Sequence, residues 1–191
     1  MSGFYESWLK RPVDFAASAC AFVILIPVMV PCAFAVWAED RGRVLFRQQR
    51  VGRGGRIFTI CKFRSMQENV GDVPSHEAAR LPITRVGRLL RRTNLDELPQ
   101  LWNVICGDMS LVGPRPALPT QSELIALRLA SRASELRPGL TGLAQVSSYD
   151  GMPIERKAAF DGEYAAHVSF AGDAVIIVRT IGYLFRRPPV Y

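Results

Sequence analysis

The sequence predicts an α+β, mostly helical protein. A re-entrant helix-break-helix in the membrane comes first. One compact domain follows, with a small β-hairpin and amphipathic helices at the membrane surface. Three observations predict this. An uncharged run from Phe15 to Ala38 contains Pro27 and Pro31 and has basic residues on both flanks. Two β-forming stretches flank Gly52-Arg53-Gly54-Gly55. Further on, apolar residues recur at helical spacing in several segments. The expected division is 1–40 for the interfacial segment and membrane hairpin, and 41–191 for the domain.

Residues 1–12 mix Phe4, Tyr5, Trp8 and Leu9 with Glu6, Lys10 and Arg11. Aromatic and basic residues before an apolar run suit a membrane interface. The run itself is 24 residues long. A straight span needs about 20 residues, so length alone predicts a spanning helix. Two facts oppose that reading. Pro27 and Pro31 each remove a helical hydrogen bond and force a bend. Lys10 and Arg11 precede the run, and Arg41, Arg43, Arg47 and Arg50 follow it. The positive-inside tendency would hold both ends on the cytoplasmic side. A helix broken at Pro27 and Pro31, entering and leaving by one face, satisfies both facts.

Val44 to Gly52 and Arg56 to Phe63 read as the strands of a hairpin. Its Gly-rich turn lacks the spacing and following helix of a nucleotide loop. Lys62 and Arg64 at the end of the second strand read, on their own, as surface charges. Residues 67–82 are polar and contain Gly71, Pro74 and Pro82. They predict a loop, with helix around His76–Arg80. Ile83 to Arg92 predicts a basic amphipathic helix with Ile83, Val86, Leu89 and Leu90 on one face.

The centre of the chain is Arg91-Arg92-Thr93-Asn94-Leu95-Asp96-Glu97-Leu98-Pro99-Gln100-Leu101. Pro99 belongs near a helix start, where its missing N–H is not needed. Asp96 and Glu97 therefore lie at or just before a helix N-terminus, with Thr93, Asn94 or Asp96 as the cap. An acidic pair there often only complements the helix dipole. The surrounding arginines suggest more. Arg91, Arg92 and Arg115 are planar cations suited to phosphate. A carboxylate beside them stays ionised and can act as a nucleophile. A second carboxylate can hold Mg²⁺ through oxygen.

Cys106-Gly107-Asp108 closes that helix with a glycine. Gly113-Pro114-Arg115-Pro116 is a stiff loop that presents Arg115 with little entropy loss; it is also an ordinary rigid connector. Asp108 is a second acidic candidate, or a cap for the turn after it. Pro119 to Ala133 predicts a helix, and Leu140 to Val146 a short strand or irregular loop. Arg137 and Gln145 suit either a nucleotide or turn bonding. Arg156 to Ala166 predicts a helix carrying Asp161. Phe170, Ala174, Ile177, Val178, Ile181, Leu184 and Phe185 mark one face of a long helix, read as core.

Composition narrows the partners. The chain has 191 residues and a formal net charge of +7, and only Lys10, Lys62 and Lys157 are lysines. This suits an anionic partner such as lipid or a phosphorylated substrate. No aromatic-rich basic motif of an RNA-binding module is present, so nucleic acid is not expected. Cys20, Cys32, Cys61 and Cys106 are far apart, which argues against a disulfide framework or metal cluster.

Four stretches together resemble a known family. They are Lys62-Phe63-Arg64-Ser65-Met66, Leu95 to Leu101, Gly107-Asp108-Met109-Ser110-Leu111-Val112-Gly113-Pro114-Arg115-Pro116, and Arg137-Pro138-Gly139-Leu140-Thr141-Gly142-Leu143-Ala144-Gln145-Val146. In order and spacing they are similar to the bacterial sugar transferases, specifically the small monotopic phosphoglycosyl transferases. The resemblance covers nearly the whole chain. It implies transfer of a sugar-1-phosphate from a UDP-sugar to polyprenyl (undecaprenyl) phosphate, with release of UMP. It implies Asp96 as nucleophile, forming a covalent phospho-sugar intermediate, and Glu97 as partner of Mg²⁺. Lys62, Arg91, Arg115, Arg137, Gln145 and Asp161 form the implied substrate-binding set. The implied place is the bacterial inner membrane, with the catalytic domain facing the cytoplasm. Related enzymes break the membrane helix at a Ser-Pro pair; here the pair is Ile26-Pro27. A homodimer is one option, and the sugar is not specified. The competing expectation is a non-enzymatic, membrane-anchored basic adaptor for anionic lipid or protein.

Overall fold

The structure, a computed structural model, describes residues 2–67, 83–147 and 152–184. A short helix α1 (Ser2–Phe4) and a π-type turn (Tyr5–Leu9) lead into the long helix α2 (Lys10–Asp40). At about 1.5 Å per residue α2 is roughly 46 Å long. The helix-break-helix expected at Pro27 and Pro31 is not seen. Both prolines lie inside α2, which stays helical through them. A helix carries an internal proline at the loss of one hydrogen bond, relieving the ring clash by bending.

Both ends of α2 bind the same domain. Near its start, Arg11 donates to the carbonyls of Val104 and Ile105 at 2.6 and 2.9 Å. Asp14 accepts from Ser110 Oγ at 2.6 Å and from the Leu111 N–H at 3.2 Å. At its other end, Val36 packs with Phe63 and Leu90. Asp40 pairs with Arg64, and Glu39 accepts from the Arg85 N–H at 2.6 Å. Between these anchors Val23, Ile24, Val30 and Phe34 are exposed. Among the described residues Tyr5–Asp40 is the one helix long and apolar enough to cross a membrane.

The hairpin forms as expected. Strand β1 (Leu45–Val51) pairs antiparallel with β2 (Ile57–Phe63), with Leu45 opposite Phe63 and Val51 opposite Ile57. Gly54 and Gly55 make the turn at φ 63° and 78°, in the left-handed region that glycine enters without strain. Helix α3 (Arg85–Thr93) is capped by Thr84, whose side chain accepts from the Gly87 N–H at 2.9 Å. Helix α4 (Gln100–Cys106) crosses β2. The Asn103 amide fastens it there: Nδ2 donates to the Thr59 carbonyl at 2.8 Å, and Oδ1 accepts from the Cys61 N–H at 3.1 Å. Ile60, Val104 and Met109 make the core under this crossing.

A second sheet was not expected from the sequence. Strand β3 (Ser110–Val112) runs parallel to β4 (Gly139–Thr141), where the sequence left strand or loop open. The loop that continues β3 meets the start of β4 backbone to backbone. A Cβ on Gly139 would lie 2.1 Å from the Gly113 nitrogen, so no side chain fits. Helix α5 (Ser122–Leu129) and a 3₁₀ turn (Arg132–Glu135) fill the predicted helix between Pro119 and Ala133. Then come α6 (Leu143–Val146), α7 (Ile154–Ala166) and α8 (Phe170–Leu184).

The face of α8 read as core is split. Ile176 is buried and Ile177 packs beside it, but Phe170, Val178 and Ile181 are exposed. The inward side instead carries Asp173, which accepts from Tyr5 Oη at 2.8 Å, Lys10 Nζ at 2.6 Å and Tyr164 Oη at 2.6 Å. Three donors make a buried carboxylate affordable where an apolar residue was expected. The predicted loop 67–82, including helix at His76–Arg80, lies outside the described residues except for Gln67, as does Phe185.

Candidate active site

The site is assembled by a reversal of the chain. Helix α3 ends at Asn94, which takes a left-handed φ of 55° and accepts the role of C-cap. A 3₁₀ turn (Leu95–Glu97) then presents both carboxylates, and Pro99 precedes α4 with φ −60°. None of the expected caps serves α4, which has no side-chain N-cap. Thr93 turns its hydroxyl back to the Leu89 carbonyl at 2.9 Å. The pair Asp96-Glu97 is thus displayed on a turn between two helices.

Glu97 is the hub. Its Oε1 accepts from Lys62 Nζ at 2.7 Å and from Arg115 Nη2 at 2.8 Å. Lys62 arrives on β2 and Arg115 on the Pro-Arg-Pro loop after β3, so three distant pieces of sequence converge on one oxygen. The reading of Lys62 and Arg64 as surface charges is corrected here. Lys62 is largely buried against Glu97, and Arg64 is buried against Asp40 and the Arg43 carbonyl. Burial of a strand end under α2 and α3 turned outward-reading charges inward.

The two carboxylates are driven apart. Burial pushes Glu97 up, but the charges and hydrogen bonds of Arg115 and Lys62 outweigh it and hold Glu97 well below the usual carboxylate range. For Asp96 burial wins: it raises the carboxyl above its ordinary 3.8, Glu97 adds to the rise, and Lys62, Arg91 and Arg115 oppose it. Asp96 is therefore the more basic oxygen donor of the two. Opposite environments for neighbouring carboxylates are a sign of divided roles.

Arg91 is placed by Ser65. Its Nε donates to Ser65 Oγ at 2.8 Å. The helix reaches this close because residue 87 is glycine; a Cβ there would lie 2.1 Å from the Ser65 carbonyl oxygen. Ser65 stands inside the Lys62 to Met66 motif, yet nothing in the sequence shows which side chain its hydroxyl meets.

The remaining predicted residues lie elsewhere. Arg137 Nε donates to the Gly107 carbonyl at 2.9 Å, at the opposite end of α4 from the acidic pair. Gln145 Nε2 donates to the Leu140 carbonyl at 3.4 Å, within its own turn. Asp161 is buried on α7 and accepts from Arg128 Nε and Nη2 at 2.8 and 2.6 Å. Asp108 is exposed beside Asn103. Arg128 was not singled out by the sequence; only its partners mark it.

The donors present fit Mg²⁺ in one way. Among the described residues no group of three or more His, Cys, Asp or Glu side chains is gathered. Asp96 and Glu97 supply two carboxylates, the set Mg²⁺ uses when phosphate oxygens and waters complete its shell.

Comparison with known proteins agrees with the motifs. The family model "Bacterial sugar transferase" matches residues 5–187. The chain is 39% identical over 191 residues to a UDP-glucose:undecaprenyl-phosphate glucose-1-phosphate transferase of Caulobacter vibrioides, covering 95% of this chain and 72% of that protein. It is 36% identical over 201 residues to a UDP-galactose-lipid carrier transferase of Erwinia amylovora, covering 96% of this chain and 42% of that one. A UDP-N-acetylgalactosamine-undecaprenyl-phosphate N-acetylgalactosaminephosphotransferase of Aeromonas hydrophila is 36% identical over 182 residues, covering 92% of this chain and 43% of that protein. The chain thus spans less than half the length of two of these relatives. The match over residues 5–187 takes in the acidic pair and each cation around it, and the chain belongs to the bacterial sugar transferase family.

Proposed function

We propose that the protein transfers a sugar-1-phosphate from a UDP-sugar to a polyprenyl phosphate, undecaprenyl phosphate being the form in its relatives' names. One observation carries this reading: Glu97 gathers Lys62 and Arg115 on a single oxygen beside the more basic Asp96. In the first step an Asp96 oxygen attacks the phosphorus that bears the sugar. The bond from that phosphorus to UMP breaks, UMP leaves, and an aspartyl phospho-sugar remains. In the second step a phosphate oxygen of the polyprenyl phosphate attacks the same phosphorus. The aspartyl bond breaks, the sugar leaves on a polyprenyl diphosphate, and the Asp96 carboxylate is restored.

Lys62, Arg91 and Arg115 offset charge on the phosphates, most strongly where negative charge gathers in the transition state. Glu97 keeps Lys62 and Arg115 in register. Mg²⁺, held by Glu97 with Asp96 alongside, would supply further charge neutralisation on the phosphate oxygens.

The acceptor is insoluble in water, so the site belongs at a membrane. Docking of both ends of α2 on one domain supports a shallow insertion in which α2, bent at Pro27 and Pro31 rather than broken, has both ends on the same face. The exposed Leu89 on α3, and Trp102 on α4, whose ring lies tilted 6.0 Å from that of Phe22 on α2, support a membrane-facing side for the domain. The basic residues at both flanks of the run, Lys10 and Arg11 before it and Arg41, Arg43, Arg47 and Arg50 after it, support the cytoplasmic face of the bacterial inner membrane. The sugar is left open, since the relatives are named for glucose, galactose and N-acetylgalactosamine.

The test is a screen of UDP-sugars with polyprenyl phosphate and Mg²⁺, reading UMP. Asp96→Asn keeps the size and removes the nucleophile, so UMP release should vanish. Acid quench of the wild type without acceptor should trap a sugar phosphate on the protein, one per chain. Unchanged release by Asp96→Asn removes Asp96 as nucleophile. No release by the wild type with any UDP-sugar favours the membrane-anchored adaptor.

A further inference from the structure

Four consecutive carbonyls hold the loop that presents Arg115. Pro114 and Pro116 have no N–H, so this loop must be pinned largely through its acceptors. The Pro114 carbonyl accepts from the Gly139 N–H at 2.9 Å, and the Ala117 carbonyl from the Val51 N–H at 2.9 Å. The Pro116 carbonyl accepts from Arg50 Nη1 at 3.2 Å. The carbonyl of Arg115 itself accepts from Arg128 Nη1 at 2.8 Å.

Arg128 is held in turn. Its Nε and Nη2 both donate to Asp161 Oδ2, at 2.8 and 2.6 Å. Asp161 is only 1% exposed, so no substrate reaches it in this arrangement. A carboxylate at that depth needs a fixed cation. A guanidinium meets the need and keeps a spare donor, because its N–H groups form a rigid fork. Two of them face Asp161 and a third faces the Arg115 backbone. The links run from Asp161 on α7, through Arg128 on α5, to Arg115 and Glu97.

We infer that Arg128 and Asp161 are positioning residues: together they set where the Arg115 guanidinium stands over Glu97 and the phosphates, without touching substrate. Asp161 thereby leaves the substrate-binding set. The geometry is independent of the reaction; the kinetic consequence rests on the transferase reading.

Arg128→Ala alone leaves Asp161 buried and unpaired and risks the fold. The paired variant Arg128→Met/Asp161→Asn removes both charges at similar size. Hydrogen–deuterium exchange on the full chain in detergent micelles then reads the loop without reference to activity. Exchange at Gly113 and Leu118, two residues of 113–118 whose N–H groups are hydrogen-bonded, should rise about ten-fold as the loop loosens, as for one lost hydrogen bond to a charged donor, while α4 and β2 stay protected. Unchanged exchange in 113–118, or an equal rise throughout, overturns the proposal.

The second arm is a double-mutant cycle on UMP release. Arg115→Ala and the paired variant should each lose about 10²-fold in kcat, as for a misplaced group. Combined, they should lose no more than Arg115→Ala alone, within about two-fold. Multiplying losses overturn the proposal. Arg128→Lys keeps the charge but not the fork and should not rescue; full rescue overturns it too. A wild type that releases no UMP sinks the transferase reading, and the exchange arm still decides the positioning.

Discussion

Replacing Lys10 by Met tests how the N-terminal segment is bound to the domain. Lys10 Nζ lies 2.6 Å from Asp173 Oδ2, and the two side chains are 11% and 6% exposed. Removing one partner of a buried pair costs about 3–5 kcal/mol, because the other charge is left in a poor solvent. Two features place Lys10→Met near the lower bound. Tyr5 and Tyr164 still donate to Asp173, and burial together with the charge of Asp173 pushes the Tyr164 phenol far up, so it keeps its proton. The expected loss is about 3 kcal/mol. At roughly 2–4 °C per kcal/mol for a chain of this size, Tm should fall by about 6–12 °C. Calorimetry and urea unfolding of the protein in detergent micelles read both quantities. Lys10→Met/Asp173→Asn should recover at least half of the loss, since the carboxylate nearest Lys10 is then no longer charged, while Asp14, 3.9 Å from Lys10 Nζ, keeps its bonds from Ser110 Oγ and the Leu111 N–H. A loss under about 1 kcal/mol is the range of a solvent-exposed pair; it would mean that water reaches Asp173 and that the burial argument is wrong.

Four further outcomes follow from the site and the helix. The reactive form of Asp96 is the carboxylate and its pKa is raised, so kcat/KM should fall on acidification along a limb above 3.8; Lys62→Met removes a cation that opposes the rise and should move the limb to higher pH, and a limb that moves lower would refute the assignment. Glu97 has the opposite sign: its pairing stabilises the fold above the ordinary glutamate value of 4.5 and is lost only as pH falls through its lower folded value. EDTA should abolish turnover and Mg²⁺ restore it, with Glu97→Gln inactive yet still membrane-bound; full turnover in EDTA would remove the metal. Single cysteines at Ser2 and Arg53, in a background without the four native cysteines, should both resist an impermeant thiol reagent in intact cells. Labelling at Ser2 alone would mean that α2 spans, whereas replacing Pro27 and Pro31 by Leu should make Ser2→Cys at least partly reactive.

The sequence by itself determined the local elements and the parts of the site that are contiguous. The hairpin followed from β-formers around glycines that must take positive φ. The existence of α3, α7 and α8 followed from the sequence, with starts within two residues of those expected. Asp96 and Glu97 stood out because they are adjacent and precede a proline, a residue favoured near a helix start. Tertiary structure decided what those groups meet. Lys62 and Arg115 are 53 residues apart in number and share one oxygen of Glu97, and no periodicity encodes that. Burial, which raises Asp96 where its arginines alone suggested otherwise, is a property of surrounding layers rather than of neighbours in the chain. The parallel pairing of β3 with β4 needs two glycines to approach within backbone contact across 26 residues. The inward turn of Asp173 needs donors from both ends of the molecule. Arg128 was invisible for the same reason: a lone arginine on a short helix reads as a solvated charge until a buried carboxylate and a donor-poor loop are folded against it.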